Sequence, residues 1–436
     1  MKVLKFGGTS VGSAVRMKDV AKLLGSAKQE IVVLSAMSGT TNSLVEISDY
    51  FYKNNTSGAL ERINVLECKY FDVIEELYAT SDSKNEAKSI IKSHFDYIRS
   101  FSKSVFTLFE EKAILAQGEL LSTAMFFLYL QEQGKNCALL PALDFMRIDK
   151  NAEPDTSYIA EHLAKVLANI PDKDIYITQG FVCRNFYGEI DNLQRGGSDY
   201  SASLIGAAVQ ADEIQIWTDI DGMHNNDPRF VEGTKPVPVL HFEEAAELAY
   251  FGAKILHPTC ILPAKLANIP VRLLNTMDPS AHGTLISTQS KKGKIEAVAA
   301  KDNITAIKIK SGRMLLAHGF LRKVFEIFES YQTPIDMITT SEVGVSLTID
   351  NTKRLDEILN DLKKFGTVTV DSDMVIICVV GDLDSENVGL QAKAVNALQD
   401  IPVRMISYGG SNYNISFLVK LDDKKRALNA LSKALF

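Results

Sequence analysis

The sequence has few of the features that mark secreted, metal-binding or nucleic-acid-binding proteins. Its cysteines are odd in number and scattered, at positions 68, 137, 183, 260 and 378, and no two form a Cys-x-x-Cys pair. Neither a disulfide framework nor a zinc site is therefore indicated. No extended run of Lys or Arg occurs, and the formal net charge is −7. This charge does not favour nucleic acid or an anionic membrane as a partner.

Long apolar runs are also missing. No apolar stretch reaches the roughly 18 residues that a membrane span requires, and no secretory leader pattern precedes the first apolar segment. We therefore expect a cytoplasmic protein that acts on small molecules. The chain has 436 residues, of which 46% are hydrophobic and 23% charged. This is enough for two or three cores of roughly 100–200 residues each.

The first 290 residues alternate short apolar runs with helical patterns. The runs predicted as strands lie at 31–35, 137–140, 175–179, 213–218 and 271–274. Such alternation predicts an α/β domain with an open, mainly parallel sheet. Residues from about 42 to 117 contain no strong strand pattern, and we interpret them as a helical insertion. We place this domain at 1–290.

Beyond a charged, nonperiodic segment at 288–294, which predicts a linker, the pattern repeats. Two βαββαβ units follow, the first at 304–371. The second unit, at 374–436, lacks its sixth strand, and the apolar run at 295–300 is the unassigned strand nearby. We therefore predict that the first unit is inserted between the first strand of the second unit and its remainder.

The hexapeptide Lys5-Phe6-Gly7-Gly8-Thr9-Ser10 follows an apolar strand near the start of the chain. Its two glycines let backbone N–H groups approach an anion without obstruction by a Cβ atom. The hydroxyl residues after them indicate a helix start whose dipole faces the same point. With Lys5 alongside, the pattern is typical of a phosphate site, although its spacing is not that of a Walker P-loop. An ordinary strand-to-helix turn with a surface lysine is the alternative.

Two other polar loops suit anionic groups. The hydroxyl-rich loop at 35–42 could hold a carboxylate or phosphate at the end of a strand, or be a plain turn. At 194–200, Arg195 offers a planar fork for a carboxylate beside a Gly-Gly turn. Ser198 or Asp199 could instead simply cap the helix that follows.

A third loop, at 217–229, is rich in acids and amides and could grip the ribose and base of a nucleotide. It lacks the residue order of an EF-hand, so a calcium loop is not indicated. Farther on, Lys254 lies in an otherwise apolar helical pattern. His257 precedes Pro258, and a structural role is the better interpretation of that histidine.

Taken in order, these motifs resemble those of aspartate kinases in the amino-acid kinase superfamily. The resemblance spans essentially the full chain and rests on residues 5–10, 35–42, 117–119 (Gln-Gly-Glu), 195–199, 217–219, 227–229 and 251–258. It implies a three-layer αβα catalytic domain. The paired units at 295–436 resemble ACT domains, which bind end-product amino acids. No dehydrogenase segment follows, so the monofunctional type is expected.

The resemblance implies transfer of the γ-phosphoryl group of ATP, bound with Mg²⁺, to the β-carboxylate of L-aspartate. The products would be 4-phospho-L-aspartate and ADP, in the first step of lysine, threonine and methionine biosynthesis. The implied catalytic residues are Lys5 and Asp199. The implied aspartate contacts are Ser35, Thr41, Glu119, Arg195 and Ser198. The implied ATP contacts are Lys5, Gly7, Gly8, Thr9, Ser10, Thr218, Asp219, His224, Arg229 and Lys254. His224 stands where many relatives have tyrosine. No protein ligands for a metal are predicted, because the phosphates can hold Mg²⁺ themselves.

The regulatory segments look most like those of lysine-sensitive members. They imply feedback inhibition by lysine, bound by Met314, Phe320, Leu321, Asp336, Ser341 and Glu342. Asp336 and Glu342 suit a cationic side chain, but without the resemblance they read as ordinary surface acids at strand ends. ACT pairs usually join across subunits, so we expect a homodimer or a dimer of dimers.

Two other functions stay open at this point. Another amino-acid kinase, with glutamate or acetylglutamate as acceptor, would share the sheet and the Gly-Gly turns. Arg195 and Glu119, which would read both ends of a free amino acid, favour aspartate. A catalytically silent amino-acid sensor would keep the fold, and the presence of Lys5 and Asp199 speaks against it.

Overall fold

The computed structural model describes residues 1–25, 27–103, 105–193, 196–252, 256–289, 292–311 and 318–436. Its strands are β1 Lys2–Phe6, β2 Glu30–Leu34, β3 Cys137–Leu140, β4 Ile175–Gln179, β5 Val182–Arg184, β6 Ile190–Asn192, β7 Glu213–Thr218, β8 Val239–His241, β9 Val271–Asn275, β10 Thr284–Ser287, β11 Ile295–Lys310, β12 Ile338–Ser341, β13 Gly344–Ile349, β14 Thr367–Gly381, β15 Met405–Tyr408 and β16 Asn414–Lys420. Its α-helices are α1 Ala14–Leu23, α2 Thr40–Tyr52, α3 Thr56–Leu77, α4 Ser81–Ser100, α5 Leu108–Glu132, α6 Thr156–Asn169, α7 Gly197–Ala208, α8 Phe242–Tyr250, α9 Leu262–Leu266, α10 Phe320–Ser330, α11 Leu355–Leu362, α12 Leu390–Ala397 and α13 Lys424–Leu435. The chain forms two compact units: Met1–Gly222 with Leu256–Thr288 (unit 1), and Met223–Ile255 with Gln289–Phe436 (unit 2).

Unit 1 is built on a sheet in the order β3-β4-β2-β1-β7-β9-β10. Every neighbouring pair is parallel except β9 with β10. The central strands β1 and β2 are almost entirely buried, as expected of parallel strands covered on both faces. The predicted open, mainly parallel α/β sheet is confirmed. In its register Phe6 lies opposite both Leu34 and Trp217, so the loops that follow these strands meet at one edge.

Between β2 and β3 the chain forms the four helices α2 to α5, which extend the core of unit 1 away from the sheet. The buried Tyr70 ring of α3 packs edge-on against Phe95 of α4, with ring centroids 5.7 Å apart. Within the described residues α5 is long and apolar enough to cross a membrane by length and composition, which the sequence analysis did not detect. Because 78% of its most apolar window is buried inside the protein, α5 has the character of a core helix.

Unit 2 contains an antiparallel sheet in the order β12-β13-β11-β14-β16-β15. The sequence predicts separate strands at 295–300 and 304–310, whereas the structure joins them in β11, with register irregularities between Lys301 and Ala306. The two ends of β11 pair with opposite ends of the long strand β14, as in Ala300 with Ile377 and Ile309 with Val368. One half of the sheet is covered by α10 and α11, and the other by α12 and α13.

The two βαββαβ units of the sequence therefore share one continuous sheet. The pairing of 295–300 beside the start of the second unit is what an inserted first unit requires, although the domain limits themselves stay a prediction. The compact units differ from the predicted limit near residue 290, because Met223–Ile255 groups with the C-terminal sheet.

Candidate active site

An open cavity of about 540 Å³ lies in unit 1, where the loops after β1, β2 and β7 meet the first turn of α7. This is the carboxyl edge of the parallel strands, where ligands bind in open α/β sheets. Of the predicted site residues, the cavity wall brings together Gly7, Gly8, Thr9, Ser35, Thr41, Glu119, Ser198, Thr218 and Asp219.

A buried ion pair lies next to this cavity. Lys5, near the end of β1, places its Nζ 2.7 Å from Oδ1 of Asp199, in the first turn of α7. That oxygen has no hydrogen bond of good geometry within the described residues, so the contact is one between charges. A Cβ atom at Gly7 would lie 3.5 Å from Lys5 Nζ, which shows how closely the ammonium approaches the glycine turn.

Two glycines allow the walls of the cavity to come together. A Cβ atom on Gly8 would lie 2.8 Å from the Ala36 carbonyl oxygen, and the Ser38 N–H donates to the Gly8 carbonyl at 3.1 Å. On the other side, a Cβ atom on Gly180 would lie 2.6 Å from Cβ of Ser198. The Gly7 N–H is itself engaged, since it donates to the Trp217 carbonyl at 3.2 Å. Gly7 therefore holds the turn, and Gly8 is the better candidate for a phosphate contact.

Glu119 is a carboxyl group buried in the cavity wall, 5% exposed. Its Oε1 accepts a hydrogen bond from the Ala36 N–H at 3.1 Å. Burial raises the pKa of Glu119 to about 8, while this hydrogen bond and the charge of Lys5 act in the opposite direction. A buried carboxylate without a full set of partners suits a cationic ligand group.

Helix α3 supports the loop at 35–42, which sequence reasoning did not detect. Lys69 Nζ donates to the Ser38 carbonyl at 2.8 Å, and the buried Tyr70 hydroxyl shares a 3.0 Å hydrogen bond with Thr40 Oγ1. Gly39, with φ of 80°, precedes α2 in the left-handed region that favours glycine. These contacts join residues about 30 positions apart, and no local pattern in the sequence signals them.

Several predicted nucleotide contacts do not line the cavity. Ser10 is fully buried, and its hydroxyl shares a 2.7 Å hydrogen bond with Thr276 Oγ1. His224 and Arg229 belong to unit 2, where His224 Nδ1 lies 3.0 Å from Thr234 Oγ1 and Arg229 pairs with Asp227.

The predicted residues Arg195, Lys254 and Met314 lie outside the described residues. No group of three or more His, Cys, Asp or Glu side chains that could hold a metal occurs among the residues described.

The predicted regulatory residues differ widely in exposure. Phe320 is buried, Leu321 is 37% exposed, and Ser341 and Glu342 are exposed. The Asp336 side chain is 1% exposed, so its interpretation as an ordinary surface acid is wrong. Its Oδ1 accepts hydrogen bonds from Lys301 Nζ at 2.6 Å and from the Tyr250 hydroxyl at 2.8 Å. Burial raises the pKa of Asp336, while its contact with Lys301 acts to lower it.

Comparison with known proteins identifies relatives along the whole chain. Residues 1–275 match the amino acid kinase family, and residues 377–435 match an ACT domain. Aspartokinase 1 of Arabidopsis thaliana, a chloroplastic protein, is 35% identical over all of this chain and 80% of its own length. Lysine-sensitive aspartokinase 3 of Escherichia coli is 32% identical over all of this chain and 99% of its own length.

Two solved structures resemble the fold over the full chain. Aspartokinase III of E. coli in complex with aspartate and ADP, in the R-state, has a TM-score of 0.84 at 32% identity, with 100% of both chains covered. Aspartate kinase of Clostridium acetobutylicum has a TM-score of 0.86 at 25% identity, also with 100% of both chains covered.

Proposed function

The chain belongs to the amino acid kinase family, among its aspartokinases, and from this we propose that it transfers the γ-phosphoryl group of ATP to the β-carboxylate of L-aspartate. The products are 4-phospho-L-aspartate and ADP. A similar enzyme, aspartokinase III of E. coli, was solved with aspartate and ADP. In this chain, the observation that supports the proposal best is a cavity lined by a glycine turn and the buried Glu119, with the Lys5–Asp199 ion pair next to it.

The acceptor is activated by position and charge. A carboxylate is already ionised at neutral pH, so no general base is needed, and the protein must align it with the γ-phosphorus and offset developing charge. Lys5 is proposed to offset charge between the β- and γ-phosphates, beside the Gly8 N–H. Asp199 holds the Lys5 ammonium in place, 2.7 Å away, from the first turn of α7. Loss of one such donor costs about 3–4 kcal/mol of transition-state stabilisation.

Aspartate is proposed to bind with its α-ammonium at Glu119, because this buried carboxyl group lines the cavity and accepts a hydrogen bond from the Ala36 N–H through one of its two oxygens. Ser35, Thr41 and Ser198 on the same wall offer hydroxyl and N–H groups to the carboxylates. The family resemblance assigns the α-carboxylate to Arg195.

ATP is proposed to extend from the glycine turn toward the end of β7. Thr9, Thr218 and Asp219 line that part of the cavity, and the resemblance adds His224, Arg229 and Lys254. Ser10 is left out as a direct contact because its hydroxyl is buried against Thr276. Mg²⁺ enters as part of the nucleotide substrate and is held mainly by its phosphates, since Mg²⁺ usually keeps few protein ligands.

Regulation by lysine is proposed for unit 2, in line with the lysine-sensitive E. coli relative. The exposed Glu342 and the buried Asp336 are the acids assigned to the effector.

We also propose a cytoplasmic homo-oligomer joined through the C-terminal units. Helix α10 supports this, because Leu321 and Phe325, one helical turn apart, are 37% and 43% exposed. Light scattering on a Phe325→Lys variant tests it, and an unchanged mass would refute this interface.

Acyl phosphate trapped with hydroxylamine tests the reaction, with aspartate, glutamate and acetylglutamate as acceptors and with lysine added or withheld. Aspartate-specific product that lysine suppresses is expected. Lys5→Met should lower kcat about 10²- to 10³-fold, whereas Lys2→Met, at the opposite end of β1, should leave it unchanged. Product from another acceptor alone, or a wild-type rate in Lys5→Met, would refute the proposal.

A further inference from the structure

Asp336, whose side chain is buried, belongs to a charge cluster in unit 2. Besides its bond to Asp336, Lys301 Nζ lies 2.9 Å from Asp350 Oδ2 and 4.3 Å from the centroid of the Tyr250 ring. An ammonium group between two carboxylates and an aromatic face is the arrangement that recognises a primary ammonium ligand. Here a lysine side chain of the protein itself occupies that arrangement.

The cluster can accept a further positive charge. Asp336 and Asp350 supply two acids and Lys301 one base, so the three side chains have an excess of negative charge when all are ionised. Among the described residues, Asp336 Oδ2 is buried and has no hydrogen-bond partner. A buried carboxylate oxygen without a partner is costly, so an entering ammonium would be favoured there. Once bound, that ammonium would compete with Lys301 and the Tyr250 hydroxyl, which both donate to Oδ1 of the same carboxylate.

The same cluster holds the end of helix α8. Tyr250 is the last residue of α8, and its hydroxyl donates to Asp336. Two residues on, Gly252 has φ of 129°, and a Cβ atom there would lie 2.2 Å from the Ala300 carbonyl oxygen. The chain after α8 is thus packed against β11 just before Lys301. This segment leads in sequence to Lys254, which is assigned to ATP.

We propose that Asp336 exchanges partners when the effector lysine binds, an inference that rests on the proposed regulation by lysine. In the effector-bound state the ammonium of lysine pairs with Asp336, and Lys301 keeps only its ion pair with Asp350. The Tyr250 hydroxyl then no longer donates a hydrogen bond to Asp336. Lys301 is therefore a built-in competitor of the effector. The Tyr250 hydroxyl links effector binding to the end of α8. A ligand shifts such an equilibrium only by its difference in affinity for the two states.

Two substitutions should change lysine affinity in opposite directions. Tyr250→Phe keeps the aromatic face but removes a bond made only in the effector-free state, so lysine should bind about fivefold more tightly. Asp350→Asn removes the carboxylate that pairs with Lys301 in the effector-bound state. That state is therefore destabilised, and lysine should bind about fivefold more weakly. A purely structural role of these residues would not produce opposite signs.

Calorimetric titration of the full chain with L-lysine measures the affinity, and the half-inhibitory lysine concentration in the hydroxamate assay should follow it. Neither variant touches the cavity of unit 1, so the rate without lysine should stay within about twofold of wild type. Tyr331→Phe is the matched control, because the Tyr331 hydroxyl donates to Asp361 at 2.9 Å without touching Asp336. Its lysine affinity should be unchanged.

The outcomes separate this inference from the function on which it rests. If wild type forms product from aspartate but does not bind lysine, regulation by lysine and the partner exchange are both refuted. If wild type binds lysine and the two variants leave its affinity unchanged, or shift it in the same direction, the exchange is overturned while the kinase reaction and its regulation stand. A shift in Tyr331→Phe as large as in Tyr250→Phe would also overturn it.

Discussion

Glu119 should make the affinity for aspartate depend on pH. Burial raises the pKa of this carboxyl group to about 8 in the free protein, and only its ionised form can pair with the α-ammonium of aspartate. At pH 7 a group with this pKa is about one-tenth ionised. The apparent affinity is reduced by the fraction that is competent to bind, so KM for aspartate at pH 7 should be about tenfold above its alkaline plateau.

The assay measures KM for aspartate at saturating ATP, by coupled detection of ADP, at pH values from about 6 to about 8.5. KM for aspartate should fall about tenfold per pH unit below the pKa of Glu119 and level off only above that pKa, whereas KM for ATP should not follow this profile. In Glu119→Gln an amide oxygen can still accept from the Ala36 N–H, but the charge is lost. This variant should show a high KM for aspartate that is independent of pH. The control Glu111→Gln alters an acid on the same helix whose Oε2 accepts from the Tyr52 hydroxyl, and should keep the wild-type profile.

The same pKa makes a prediction about stability. Because the pKa in the folded state lies above the ordinary value of 4.5, the folded protein retains a proton that the unfolded chain releases. Wild-type stability is therefore lost as pH rises from about 4.5 to about 8, by up to roughly 5 kcal/mol at about 1.4 kcal/mol per unit. Glu119→Gln should unfold at a higher temperature than wild type above pH 8 and at a similar one near pH 4.

A wild-type KM for aspartate that does not change with pH, or a wild-type KM in Glu119→Gln, would refute the assignment of Glu119 to the α-ammonium of aspartate.

Lys69→Met should raise KM for aspartate about fivefold with little change in kcat, because the bond that orients the Ser38 carbonyl is lost; Lys69→Arg should restore it, and an unchanged KM would exclude a positioning role. Glu244→Gln should raise Tm at pH 8 but not near pH 4.5. Burial, with repulsion from Glu296, raises the pKa of Glu244 to about 7, so the wild type loses stability as pH rises from 4.5 to about 7. Equal Tm values at pH 8 would contradict this.

The class of the fold and the glycine turn of the candidate site could be predicted from the sequence, because both are encoded by residues that are neighbours in the chain. Apolar runs of four to six residues between helical patterns predict parallel strands, and the structure has them in unit 1. The glycine turn at Gly7 and Gly8 after β1 was likewise visible, since a strand end, two glycines and a lysine occur within six residues. The C-terminal repeat followed from the order of its elements.

The continuity of strand β11 was harder to predict from the sequence. Two apolar runs separated by Lys301, Asp302 and Asn303 read as two strands, but their pairing with the ends of β14 makes them one bent strand. The family resemblance implies that Ser10 contacts ATP, and its hydroxyl suits the start of a helix. Its partner Thr276, which turns the hydroxyl into the core, lies 266 positions away.

The sequence by itself determined the α/β class, the repeat and the types of residue available for phosphate and amino-acid chemistry, because these depend on neighbouring residues. Only the tertiary structure decided the states of the charged groups. Burial raises the pKa of Glu119, and a hydrogen bond from Ala36, 83 positions away, acts to lower it. Asp336 accepts a hydrogen bond from Tyr250, 86 positions away. Desolvation and charge pairing act over a few ångströms in space, and the folded packing alone decides which distant residues come within that range.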